Sequence, residues 1–129
     1  MVSWPAQVSG GRVIDTPIIS FDILPTVLDA LNESPPETED FDGKSILPLL
    51  KGKDHPHHNV LYWDTGDEKM GWAVRKGNWK LIGKRQKLEL YDLNKDSSEA
   101  TDLAKRYPEI VNSLQTLYQN WRTEMPEPL

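Results

Sequence analysis

The chain has no cysteine. Disulfides and thiolate metal sites are therefore excluded, and the sequence carries no mark of its redox compartment. It has no apolar run near the roughly 18 residues that suggest a membrane span. Its first residues lack the charged-then-apolar pattern of a secretory leader, so an exported parent would carry that leader elsewhere. Apolar residues are scarce, at 37% of the sequence. A typical domain has about 45–50% with glycine counted, so the core is expected to be thin for the length. Positive charge is also short: 15 Lys and Arg against 20 Asp and Glu give a net charge of −5. Nucleic acid is not expected as the main partner, because phosphate-binding domains are usually basic. The 129 residues fit one domain or part of one.

What is present centres on Trp72 to Ile82, which reads as a β-hairpin. Two runs rich in Trp, Val, Leu and Ile flank Lys76-Gly77-Asn78, and Gly and Asn tolerate the positive φ of tight turns. Leu88–Leu93 follows after a basic turn and Asn59–Asp64 precedes. Four closely spaced runs predict a four-stranded antiparallel meander. Such a sheet needs cover on one face. The run from Pro108 to about Met125 supplies a helix with Ile110, Leu114, Leu117 and Trp121 in one stripe, widened by Val111, Tyr118 and Met125. Pro108 and Glu109 suit its first turn. The fold class is thus α+β.

Upstream, Val2–Trp4 resembles the end of a strand stopped by Pro5. Ser20–Leu31 predicts a helix with Leu24, Val27, Leu28 and Leu31 on one face, Ser20 or Asp22 as N-cap and Asn32 as stop. Ser34–Asp40 reads as an acidic, Pro-rich linker. Ser45 can cap a short helical piece over Ile46–Leu50, kept short by Pro48 and Gly52. Ser98–Ala104 suggests one or two helical turns, and Pro126–Leu129 a frayed tail.

The chemistry-bearing residues admit bland readings. His55, His57 and His58 form the one histidine cluster; extended, His57 and His58 point apart, so a structural or solvated loop is favoured over a metal site. Lys76, Lys80, Lys84, Arg85 and Lys87 make the hairpin basic, which fits an anion patch but better fits charged edges that discourage strand-on-strand association. Arg75 lies in an apolar run and suggests a structural ion pair. Asp64, Asp67, Glu68, Glu89 and Asp92 single out no acid–base pair. Trp63, Trp72 and Trp79 suggest core more than a sugar platform. No phosphate loop, nucleophile elbow or zinc motif appears.

The order of segments adds a further reading. Val2-Ser3-Trp4-Pro5, then Ser20–Asp29, then Asp42–Gly52, then Ala73–Ile82, and then Glu89–Leu93 with Asp96, Glu99 and Asp102-Leu103-Ala104, together resemble the C-terminal part of the sulfatase family. The resemblance runs from Val2 to about Trp121. It implies a parent α/β enzyme of the alkaline phosphatase superfamily that hydrolyses sulfate esters. Such enzymes use a formylglycine made from Cys or Ser in a C-x-P-S-R type motif, and a calcium or magnesium ion on oxygen ligands. None of those residues maps onto this chain, so no catalytic or metal residue is assigned.

The resemblance further implies that residues 1–56 are the tail and linker of a larger α/β domain, and 57–125 a C-terminal sheet-plus-helix subdomain closing one side of the substrate cleft. Trp63, Asp64 and Thr65, in the loop leaving the first strand, are the candidate substrate-binding residues. Expected partners are the N-terminal sulfatase domain and a sulfated small molecule or glycan. Self-association through apolar surface on the Ser20–Leu31 helix is also expected, and the parent would be periplasmic or secreted. The alternative is a free-standing binding module for an acidic glycan or a protein.

Overall fold

A computed structural model describes residues 1–34, 41–53, 57–67 and 69–126. The chain forms two compact units, Met1–His58 and Asn59–Leu129, which assigns His57 and His58 to the first. His55, Glu68, most of the acidic linker and the end of the tail lie outside the described residues.

In the first unit, a 3₁₀ turn at Ser20–Asp22 runs into helix α1, Ile23–Ala30. Asn32, at φ 58°, ends it. Its N–H donates to the Asp29 carbonyl and that of Glu33 to the Leu28 carbonyl, the paired bonds of a Schellman stop. Helix α2, Leu47–Leu50, closes in the same way on Gly52, at φ 91°. Ser45 accepts a hydrogen bond from the Leu47 N–H at 3.2 Å, but it precedes the N-cap, which is Ile46 rather than the expected Ser45. Thr26 joins the helices by accepting from the Ile46 N–H at 3.0 Å. Val2–Trp4 forms no strand; the Trp4 carbonyl instead closes a turn onto Gln7 and Val8. Leu24, Val27 and Leu31 of the predicted apolar face are exposed, as are Phe21 and Ile23.

In the second unit, β1 (Leu61–Asp64), β2 (Trp72–Lys76), β3 (Trp79–Lys84) and β4 (Lys87–Asp92) form an antiparallel meander, and α3 spans Pro108–Glu124. Gly77 holds φ 58° in the β2–β3 turn. Arg85 and Gln86 both hold positive φ in the β3–β4 turn. Register aligns Tyr62, Val74, Leu81 and Leu90 across the four strands. Val74, Leu81 and Leu90 are fully buried and pack with Val111 and Leu114 of α3. Each such side chain contributes about 1.5–3 kcal/mol by leaving water. Aromatic pairs extend the seam: Trp72 stacks on Tyr118 at 3.9 Å and Tyr62 on Trp121 at 4.8 Å between ring centroids.

Ser98–Ala104 makes turns rather than a helix. The Asp96 carboxylate takes the Ala100 and Thr101 N–H groups at 2.9 and 2.8 Å, and Asp102 takes those of Leu90 and Ala104. Side chains that bind nearby backbone donors compete with helix formation. Arg75 makes no ion pair among the described residues; its Nε donates to the Gly77 carbonyl at 3.0 Å and braces the hairpin turn. In the basic hairpin, Lys80 pairs with Glu99 and Lys87 with Glu89.

Candidate functional site

Side chains alternate between sheet faces along a strand. The register therefore sets Asp64 in a row with Trp72, Gly83 and Leu88, on the face that α3 covers, and turns Trp63 to the other face. Asp64 Oδ2 accepts a 2.8 Å hydrogen bond from the Tyr118 hydroxyl and lies 3.3 Å from Arg122 Nε. Its other oxygen accepts from the Gly66 N–H at 2.8 Å, which shapes the loop leaving β1. Burial first, and then the bond and negative charge of Asp64, push the Tyr118 hydroxyl up to about 12, with Arg122 opposing. Asp64, Asp67, Trp72, Tyr118 and Arg122 surround a cavity of about 310 Å³.

Of the three predicted binding residues, Asp64 lines this cavity. Trp63 is 43% exposed on the opposite face. Thr65 turns its hydroxyl into its own loop, 2.9 Å from the Gly71 carbonyl. Tyr118 and Arg122 were hidden by their apolar setting: Tyr118 reads as part of the α3 stripe, and Arg122 follows one turn later. A buried tyrosine hydroxyl needs a polar partner, and that need was the available signal. Trp72 is no sugar platform. Tyr118 covers one of its faces, and a Cβ on Gly83 would lie 2.2 Å from its ring. Trp79 packs on Tyr107.

The first unit contains a second constellation. Asp22 is 1% exposed and stands at the N-cap position of α1 without bonding that helix through its side chain. Its carboxylate instead accepts the Ile19 N–H at 2.9 Å and the Lys44 N–H at 2.8 Å. The approach of Lys44 depends on Gly43, where a Cβ would sit 2.0 Å from the Phe21 carbonyl oxygen. His58 Nε2 lies 2.9 and 3.0 Å from the two carboxylate oxygens, and His57 Nε2 lies 3.3 Å from Oδ2. The rings meet edge to face at 4.6 Å. His57 and His58 thus converge on one carboxylate, correcting the expectation of rings that point apart; of the structural or solvated loop expected, they form a buried, structural one. Burial raises the Asp22 carboxyl, but the two backbone donors and His58 outweigh it, and the net shift is downward. Burial is also the largest influence on His57, and lowers it against the pull of Asp22.

Comparison with known proteins agrees with this architecture. Residues 1–124 match the family model for the C-terminal region of N-sulphoglucosamine sulphohydrolase. An uncharacterized sulfatase of Schizosaccharomyces pombe is 34% identical over 88% of this chain and 23% of its own length. The N-acetylgalactosamine-6-O-sulfatase of Bacteroides thetaiotaomicron is 27% identical over 95% of this chain and 27% of its own. A solved structure from work on glycosaminoglycan metabolism by that bacterium superposes with a TM-score of 0.72 at 26% identity, covering 93% of this chain and 28% of the solved one. The chain therefore spans about a quarter of the length of these relatives. By the match across almost all of its residues, it belongs to the sulfatase family, in the C-terminal region that the family model describes.

Proposed function

We propose that this chain is the C-terminal part of an enzyme that hydrolyses sulfate esters on a glycan, and that the cavity beside β1 forms part of one side of its substrate cleft. The carrying observation is the placement of Asp64 and Arg122 side by side at the mouth of a cavity of about 310 Å³. A sulfated sugar presents hydroxyls that a carboxylate can accept and an anion that a guanidinium can bind. The sulfated-sugar activity named for the Bacteroides relative supports that substrate class.

Formylglycine and calcium or magnesium would serve the full-length parent. The residues here do not fit that role. There is no cysteine to convert, and no serine lies in an S-x-P-S-R context. The one three-donor cluster among the described residues carries two imidazoles, whereas calcium and magnesium take oxygen. This chain's part is to complete the fold and the cleft. The apolar face of α1, with Ile23, Leu24, Val27 and Leu31 exposed, is suited to lie against the larger α/β domain.

The test uses the longer sulfatase that carries this chain and follows sulfate release from a 6-sulfated amino sugar. Arg122→Ala and Asp64→Asn are expected to raise KM about tenfold with kcat little changed, the pattern of lost uniform binding. Unchanged kinetics in both variants would remove the cavity from the cleft. The 129-residue chain alone should not hydrolyse an aryl sulfate with calcium or magnesium supplied. Turnover that disappears on mutating one of its own residues would overturn the reading.

A further inference from the structure

We propose that Asp22, His57 and His58 form a binding site for a zinc-like divalent metal ion, one that fastens the His57–His58 segment to the start of α1. The three side chains each offer one ligand atom, and these atoms lie within 4.8 Å of one another. The two imidazole Nε2 atoms stand 2.9 and 3.3 Å from the carboxylate oxygens they face. Neighbouring donors of a tetrahedral site with bonds of about 2.0–2.1 Å are themselves about 3.3 Å apart, so each imidazole already stands near the required spacing from the carboxylate.

The surroundings fit that use. Asp22 is held by backbone N–H groups from Ile19 and Lys44, one on each oxygen. Outer bonds of this kind aim a ligating carboxylate. The His57 ring also bonds the Lys44 backbone, with its Nε2 directed at Asp22. A backbone bond of this kind helps to orient a ligating imidazole. Imidazole with one carboxylate suits zinc, cobalt or nickel rather than calcium or magnesium. The site is buried, with Asp22 at 1% and His57 at 5% exposure, and it links positions 22, 57 and 58. Metal binding there contributes directly to folding stability.

The proposal is tested on the whole chain, freed of metal with a chelator and then titrated with Co²⁺ and with Zn²⁺. A saturable visible absorption of tetrahedral type, at one Co²⁺ per chain, is expected. Zn²⁺ should displace it and raise the thermal midpoint by roughly 5–10 °C at a hundredfold excess over Kd. Asp22→Asn and His58→Gln should each weaken binding by about tenfold or more. Circular dichroism establishes that each variant is folded, and His57→Gln replaces any that is not. Absence of both the cobalt band and the zinc-induced shift in the folded wild-type chain would overturn the site, leaving a metal-free hydrogen-bonded tie. Equal affinity in folded Asp22→Asn, or in wild-type chain unfolded by urea, would also overturn it, because the histidines would then bind without the carboxylate.

Discussion

The two units of this molecule are held together by different means. The second has an apolar centre in which Val74, Leu81 and Leu90 are fully buried, closed by α3 and by aromatic pairs. The first buries Leu47, Leu49 and Pro25 but also Asp22 and His57, while much of the apolar face of α1 is exposed. Apolar residues are about equally frequent in both units, but their burial is not even. Buried apolar side chains are concentrated under one sheet, whereas the other unit has a buried polar tie and an exposed apolar helix face. Polar ties depend on every partner being present, whereas apolar cores lose stability in proportion to what is removed.

The largest expected effect follows from that centre. Leu81→Ala should destabilise the second unit by about 3–5 kcal/mol, read from urea unfolding. An unchanged midpoint would mean that the sheet and α3 do not share a core. Trp121→Ala should cost less than Leu81→Ala, because Trp121 is only half-buried on Tyr62. Next in size is the polar tie. Asp22→Ala leaves the Ile19 and Lys44 donors without their acceptor, and should cost about 2–4 kcal/mol in the first unit. Hydrogen exchange at those two amides should quicken while Leu81 and Leu90 stay protected. Equal acceleration in both units would erase the distinction drawn between them.

A smaller effect on stability, but a visible one on association, is expected at α1. Leu24→Ser with Val27→Ser should change stability by less than about 1 kcal/mol, because both residues are exposed. The wild-type chain should self-associate through this face at high concentration, and the double variant should sediment as a monomer. A wild-type chain that is monomeric at every concentration would show that the face does not self-associate.

The second unit was the more legible in sequence. Gly77-Asn78 between alternating runs fixed the hairpin, and the α3 stripe identified its cover. Asn32 marked the end of α1 because few residues accept its left-handed φ. Legibility failed where side chains act across long separations. Asp22 looked like an ordinary cap, but its carboxylate is claimed by Lys44 and His58, which no local pattern brings near. Gly43 makes that approach possible by leaving room beside the Phe21 carbonyl, and nothing in its local sequence marks that need. Of the three substrate candidates, expected in the loop leaving the first strand, Asp64 ends β1 and lines the cavity. The alternation that sets it beside Tyr118 and Arg122 turns Trp63 away. Ser98–Ala104 misled because Asp96 and Asp102 serve neighbouring backbone donors rather than a helix surface.

The smallest effect is a titration, and it probes how closed the apolar unit is at its polar edge. The Tyr118 hydroxyl is pushed up to about 12, first by burial and then by Asp64. A free tyrosine ionises near pH 10. The folded value lies above the unfolded one, so the stabilisation from protonated Tyr118 is complete below about pH 10. It is lost as the pH rises from there toward 12. Tyr62 and Tyr91 are also shifted upward, but ultraviolet titration should show a step near pH 12 that is absent in Tyr118→Phe. In Asp64→Asn the step should move toward lower pH without reaching the ordinary value, because burial is the larger cause and survives the substitution. A Tyr118 that ionises near pH 10 in the wild-type chain would mean that its edge of the α3 seam is open to water. The contrast between a closed apolar unit and a polar-tied one would then weaken at the very cavity proposed to take substrate.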